Sequence, residues 1–92
     1  MNSSNSFKSI TSPATTTFAG NEMHRVILHG IQINKALTGT LSIRSGSTII
    51  GTIAASVAAG SYWTSAHGVE IADLTIVNNL AEDVTVFYTN IG

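Results

Sequence analysis

The chain has 92 residues, no cysteine and one proline, with 43% hydrophobic but only 10% charged residues. That length holds one small domain with a workable but thin core, and the missing cysteines exclude disulfides and thiolate metal sites. A formal net charge of -1 removes the electrostatic case for nucleic acid or an anionic membrane as partner.

Globular chains usually carry roughly 25% charged residues, so this one covers its surface mostly with Ser, Thr, Asn, Gly and Ala. Such a surface resists self-association poorly, which predicts that part of it is buried against other subunits. No apolar run approaches the ~20 residues of a membrane-spanning helix. The first 17 residues also lack the hydrophobic stretch of a secretory signal.

Residues 1–17 are mostly Ser, Thr and Asn, with Phe7, Ile10 and Pro13 embedded. They are too polar to form a core alone. Two readings stay open: a tail without fixed structure, or an extended arm that orders on a neighbouring subunit with Phe7 and Ile10 as anchors. Residues 15–19 supply either its last short strand or the first strand of the domain.

Residues 23–34, MHRVILHGIQIN, predict a long strand. Ile27, His29, Ile31 and Ile33 share one parity, and Val26, Leu28 and Gly30 the other. Two apolar faces indicate a central strand, and Gly30 marks a bulge or a close backbone approach.

Residues 37–53, LTGTLSIRSGSTIIGTI, alternate with the period of a half-buried strand, turn, and resume. A three-residue loop, Arg44-Ser45-Gly46 with Gly46 at positive φ, keeps the odd apolar positions on one face. It sets Leu41 opposite Ile49 and Leu37 opposite Ile53. Thr38, Thr40, Ser42, Thr48 and Thr52 are left as an uncharged outer face, with Thr38 and Thr40 as candidate contacts.

Residues 54–68 interrupt the strands; 54–59 predict a short helical turn, ended by Gly60. Tyr62 and Trp63 lie in this connection and are the strongest candidate contact pair, since aromatic residues are enriched at protein interfaces. Stacking on a sugar and plugging an open end are the alternatives. Residues 69–88 predict a second hairpin with Ile76 opposite Val84, Leu74 opposite Val86 and Thr75 opposite Thr85.

Short strands separated by turn signals indicate an all-β fold of about six to eight strands. The expected architecture is a small antiparallel β-sandwich, jelly-roll or Ig-like, over residues 18–92, with an extended N-terminal arm over residues 1–17. Motifs for chemistry are missing. His24, His29 and His67 lie on separate elements without ligand spacing. The serines lack a G-x-S-x-G elbow, and Glu22, Glu70, Asp73, Glu82 and Asp83 form no carboxylate pair on one face. Phosphate-cradling loops are absent from the sequence. The expectation is a non-enzyme with no catalytic residue, metal or cofactor.

The run GTLSI-RSGST-IIGTIAA, then AGSYW, VEIADLTIV and AEDVTVFY, resembles small all-β structural proteins of tailed bacteriophages, over residues 27–91. The resemblance implies a capsid decoration or cement protein on the exterior of the virion, assembled in the host cytoplasm. It implies a homo-oligomer, with a trimer favoured, bound to the major capsid protein and to neither nucleic acid nor membrane. The alternative within the same class is a tail, neck or fibre component, with receptor or glycan binding through Tyr62 and Trp63.

Overall fold

The computed structural model describes residues 3–18, 25–63 and 68–91, with side chains for all of these except residues 3–5, 63 and 91. It is all-β. The strands are β1 Ser3–Ile10, β2 Ala14–Thr17, β3 Arg25–Ile33, β4 Leu41–Ser45, β5 Thr48–Ile53, β6 Gly60–Trp63, β7 Val69–Ala72, β8 Leu74–Asn78 and β9 Val84–Ile91. They form two antiparallel sheets packed as a sandwich. One runs β1-β9-β3, with β6 and β7 end to end on the far edge of β3, and the other runs β2-β8-β4-β5.

The pairing has a simple origin. β1 pairs β9, β2 pairs β8, β3 pairs β7 and β6, and β4 pairs β5. Each inner pair nests inside the one before it. The whole chain is therefore one long hairpin with its tip at Gly46-Ser47, near the midpoint of the 92 residues. Rolling it up joins β9 to β3 and β8 to β4. That wiring is the jelly roll, which selects it over the Ig-like alternative.

Two bulges adapt the sequence to this frame. Between Leu28 and Gly30 the β3–β9 register shifts, leaving His29 as the extra residue. A bulge reverses the side-chain parity beyond it, so Val26, Leu28, Ile31 and Ile33 all reach the core. The two apolar faces expected of this strand are one face, interrupted. The second bulge lies in β5, where Arg44 faces Ile49 and Ile43 faces Gly51, so that Ile50 is extra.

The core is built from both inner faces, including Leu41, Leu74, Ile76, Val84 and Val86, all fully buried. Phe18 packs edge-to-face on Tyr88, with ring centroids 5.0 Å apart, a favourable aromatic geometry.

Several expectations are corrected. The hairpin of residues 37–53 exists, but its turn has two residues, Gly46 and Ser47, and Leu41 faces Ile53 rather than Ile49. Gly46 has φ +62°, as the first position of a two-residue II′ turn requires. Leu37 precedes the strand and is buried in a loop, where its amide and carbonyl bond to Val57 and Ser56. The same stitching replaces the helical turn expected at residues 54–59, and Ser56 takes φ +68° there.

β8 and β9 do not form a hairpin. They belong to different sheets, so Leu74 and Ile76 meet Val84 and Val86 across the core rather than beside them. The stretch expected to extend as an arm instead supplies β1 and β2, one strand to each sheet. Ile10 enters the domain's own core, and the corner at Ser12 is held by the buried Asn78 side chain, which donates to its carbonyl over 2.9 Å. Tyr62 and Trp63 lie on strand β6, at a sheet edge. Nine strands are present among the described residues, slightly more than expected.

Candidate interaction surface

The side of the sandwich bounded by β5 and β7 is open. β5 pairs only with β4, so its other edge has no ladder partner. Its sequence, TIIGTI, contains no charge. Proteins usually protect such an edge with Lys, Glu or Pro. Here the bulge turns two adjacent isoleucines out of the regular alternation, leaving Ile49 56% and Ile50 51% exposed. Opposite them, Val69 on β7 is 44% exposed.

Between these edges runs an apolar groove of about 200 Å³, lined by Leu28, Ile43, Ile50, Gly51, Val69 and Ile71. Its floor is core, since Leu28 and Ile71 are buried. At its rim the Arg25 guanidinium donates to the Glu70 carboxylate over 3.2 Å, with both side chains exposed. A surface pair of this kind contributes little to stability.

The opposite border is different. There Lys8 on β1 places its ammonium 5.2 Å from the centre of the Phe18 ring, within cation–π range. A charge thus guards that edge and none guards β5.

A second cavity, about 330 Å³, is polar and lined by Thr11, Lys35, Ala36, Thr38, Ala81, Glu82 and Asp83. Its carboxylates are occupied by the chain itself. Glu82 Oε1 accepts from the Thr38 amide at 3.0 Å, and Oε2 from the Gly39 amide at 2.9 Å. The Thr38 hydroxyl donates to both oxygens. Burial pushes the Glu82 carboxyl up, but the two amides and the hydroxyl outweigh it and hold its pKa below the ordinary value of 4.5. Asp83 accepts from Asn34 through both its side chain and its carbonyl. These groups tie the β3–β4 loop to the β8–β9 loop. They are structural.

The six candidate contact residues do not converge. Phe7 is 66% exposed and pairs with Phe87 on the outer face of the five-stranded sheet. Ile10 is core. Tyr62 is 40% exposed, and its hydroxyl donates to the Ala58 carbonyl at 2.8 Å. The Trp63 backbone pairs with Gly30, while its side chain lies outside the described residues. Thr38 is bound to Glu82, and Thr40 is exposed in the loop before β4.

Ile49, Ile50 and Val69 were not among the candidates. The adjacent isoleucines of β5 were the available signal, because a strictly alternating strand does not place two such residues side by side.

His29 sits in the β3 bulge with Nε2 2.6 Å from Thr89 Oγ1; His24 and His67 lie outside the described residues. Among the described residues, no group of three or more His, Cys, Asp or Glu side chains is placed to hold a metal ion. Among them, too, no helix is long and apolar enough to cross a membrane. No protein-family model, curated protein or solved structure matches this chain.

Proposed function

We propose that the protein is a non-enzymatic structural protein of a virion, a capsid decoration or cement protein that works through contacts with its own copies and with the major capsid protein. The observation that carries this reading is the uncharged β5 edge, with Ile49, Ile50 and Val69 exposed around an apolar groove. Burying apolar surface there contributes roughly 25 cal/mol per Å², and many copies on one lattice multiply a small contact into a large one. The mechanism is mechanical: copies laid over the capsid exterior resist its expansion. Jelly rolls serve capsids and lectins alike, so the reading rests on the surface and on the resemblance of residues 27–91, not on the wiring.

The test is co-sedimentation of the purified protein with capsids of the encoding virus assembled without it. Saturable binding that raises the capsids' thermal or osmotic resistance is the expected result. Protein that stays in the supernatant and leaves resistance unchanged contradicts the reading.

A second reading is a tail, neck or fibre component that binds a glycan. It is favoured by one register row across the five-stranded sheet, where Phe7 faces Phe87, Phe87 faces Gly30 and Gly30 faces Trp63. Aromatic residues along a flat sheet face suit stacking on sugars. This reading predicts that Phe7→Ala and Tyr62→Ala variants lose adsorption to host cells while keeping their fold; unchanged adsorption counts against it.

A further inference from the structure

Six large apolar side chains stand exposed among the described residues. Phe7 belongs to β1 at the far border, and Leu80 packs over Gly39 at one end. Tyr62 is anchored through its hydroxyl to Ala58. Ile49, Ile50 and Val69 remain, gathered around the groove at the open side.

We propose that this open side is covered by the same side of a second copy, related by a two-fold axis. The two β5 strands run antiparallel, and Ile49 of each copy lies over Gly51 and the groove of the other. The inference rests on the assembly reading above and names the self-contact that it requires.

Three observations select a second copy as the occupant. First, no residue of β5 or of the groove lining is charged, and the nearest rim charges, Arg25 and Glu70, already pair with each other. An oppositely charged partner finds nothing to attract it, while a second copy opposes no like charges along the strip. Second, the strand is self-complementary. An antiparallel arrangement about Ile50 sets Thr48 opposite Thr52 and Ile49 opposite Gly51. There is room at that point: a Cβ on Gly51 would meet only Ile43 Cδ1, at 3.9 Å. A large side chain thus faces the one position of the strand without any, as a closed two-fold contact demands.

The third observation is the bulge. It breaks the regular edge of β5 at Ile50, and a bulged edge is poorly shaped to template a continuous ladder. Side chains therefore make the contact, and it closes as a pair instead of propagating as a fibre.

Size sets the strength. A six-residue strand is about 20 Å long, and the molecule is 19 Å across its shortest dimension. The contact therefore covers on the order of 400 Å² per copy, about 800 Å² in all, at the lower limit of specific interfaces. Such a pair dissociates in the micromolar-to-millimolar range and becomes persistent when neighbours are held side by side.

The experiment is sedimentation velocity of the full chain up to millimolar concentration, for wild type, Ile49→Lys, Phe7→Lys and Leu80→Lys, with thermal unfolding of each. The proposal expects a concentration-dependent dimer in wild type, Phe7→Lys and Leu80→Lys. It expects at least a tenfold weaker dimer in Ile49→Lys, with an unchanged unfolding midpoint. If Ile49→Lys unfolds early, Ile49→Ser takes its place as the milder test. A monomer at every concentration overturns the proposal, as does a dimer that Phe7→Lys breaks and Ile49→Lys spares. A monomeric wild type that still binds capsids, through Ile49, overturns the self-contact and leaves the decoration reading standing.

Discussion

The Gly46 amide donates to the Asp73 carbonyl over 2.9 Å. One partner is the tip of the long hairpin, and the other is the single residue by which the chain crosses from β7 in one sheet to β8 in the other. Ser45 adds a second tie, its hydroxyl donating to the Ala72 carbonyl at 2.7 Å. The midpoint of the chain is thus fastened to a corner more than twenty residues later, which fixes how the hairpin rolls.

Gly46→Ala tests that corner. At φ +62° a Cβ finds no atom within 4 Å, so the cost is backbone strain alone, about 1–2 kcal/mol. Gly68→Ala adds a clash to the same strain. At φ +80° its Cβ would lie 2.5 Å from Ile27 Cγ2 and 3.0 Å from the Leu28 carbonyl oxygen. Denaturant unfolding should rank Gly68→Ala clearly below Gly46→Ala; equal losses would contradict the geometry.

Leu41→Ala and Ile49→Ala separate core from surface on residues of the same parity. Leu41 is fully buried, so its truncation costs about 2–5 kcal/mol. Ile49 is more than half exposed, so its truncation changes the stability of the isolated domain by about 0.5 kcal/mol or less. Comparable losses for the two would place Ile49 in the core and remove the exposed strip.

Glu82 gives the fold an acid-sensitive clasp. Its folded pKa lies below 4.5, so the unfolded chain binds the proton first and the clasp's contribution is complete above that value. It is lost as pH falls through the folded pKa. Glu82→Gln keeps the shape but loses charge-assisted bonds to Thr38 and Gly39, at a cost of about 2 kcal/mol near neutral pH. The wild-type advantage should shrink below pH 4.5. A gap independent of pH would show that the carboxylate's charge plays no part.

Much of the fold was legible because alternation is a direct consequence of burying one sheet face. It identified the strands around Val26, Leu41, Ile76 and Val86, and the sandwich class. Pairing was less legible. Leu74 and Ile76 match Val84 and Val86 equally well as neighbours in one sheet and as opposites across two, because both arrangements demand apolar side chains at the same spacing.

The bulges at His29 and Ile50 hid the rest. A bulge adds one residue without a compositional mark, so the parity change between Leu28 and Ile31 read as two apolar faces. The register of β5 was displaced by the same cause. Ile10 looked like an anchor for a neighbour because its own polar surroundings gave no hint that β9 needed a partner along its other edge. Tyr62 and Trp63 drew attention by residue type, whereas the exposed strip of Ile49, Ile50 and Val69 is visible only once β5 is known to be an edge.

The central claim is that this strip is a contact surface, and methyl NMR tests it most directly. In a dilution series of protein with labelled Ile, Leu and Val methyls, Ile49, Ile50 and Val69 should shift together along one binding curve while Leu80 stays fixed. Methyls of the strip that do not respond, with Leu80 moving instead, would contradict the account.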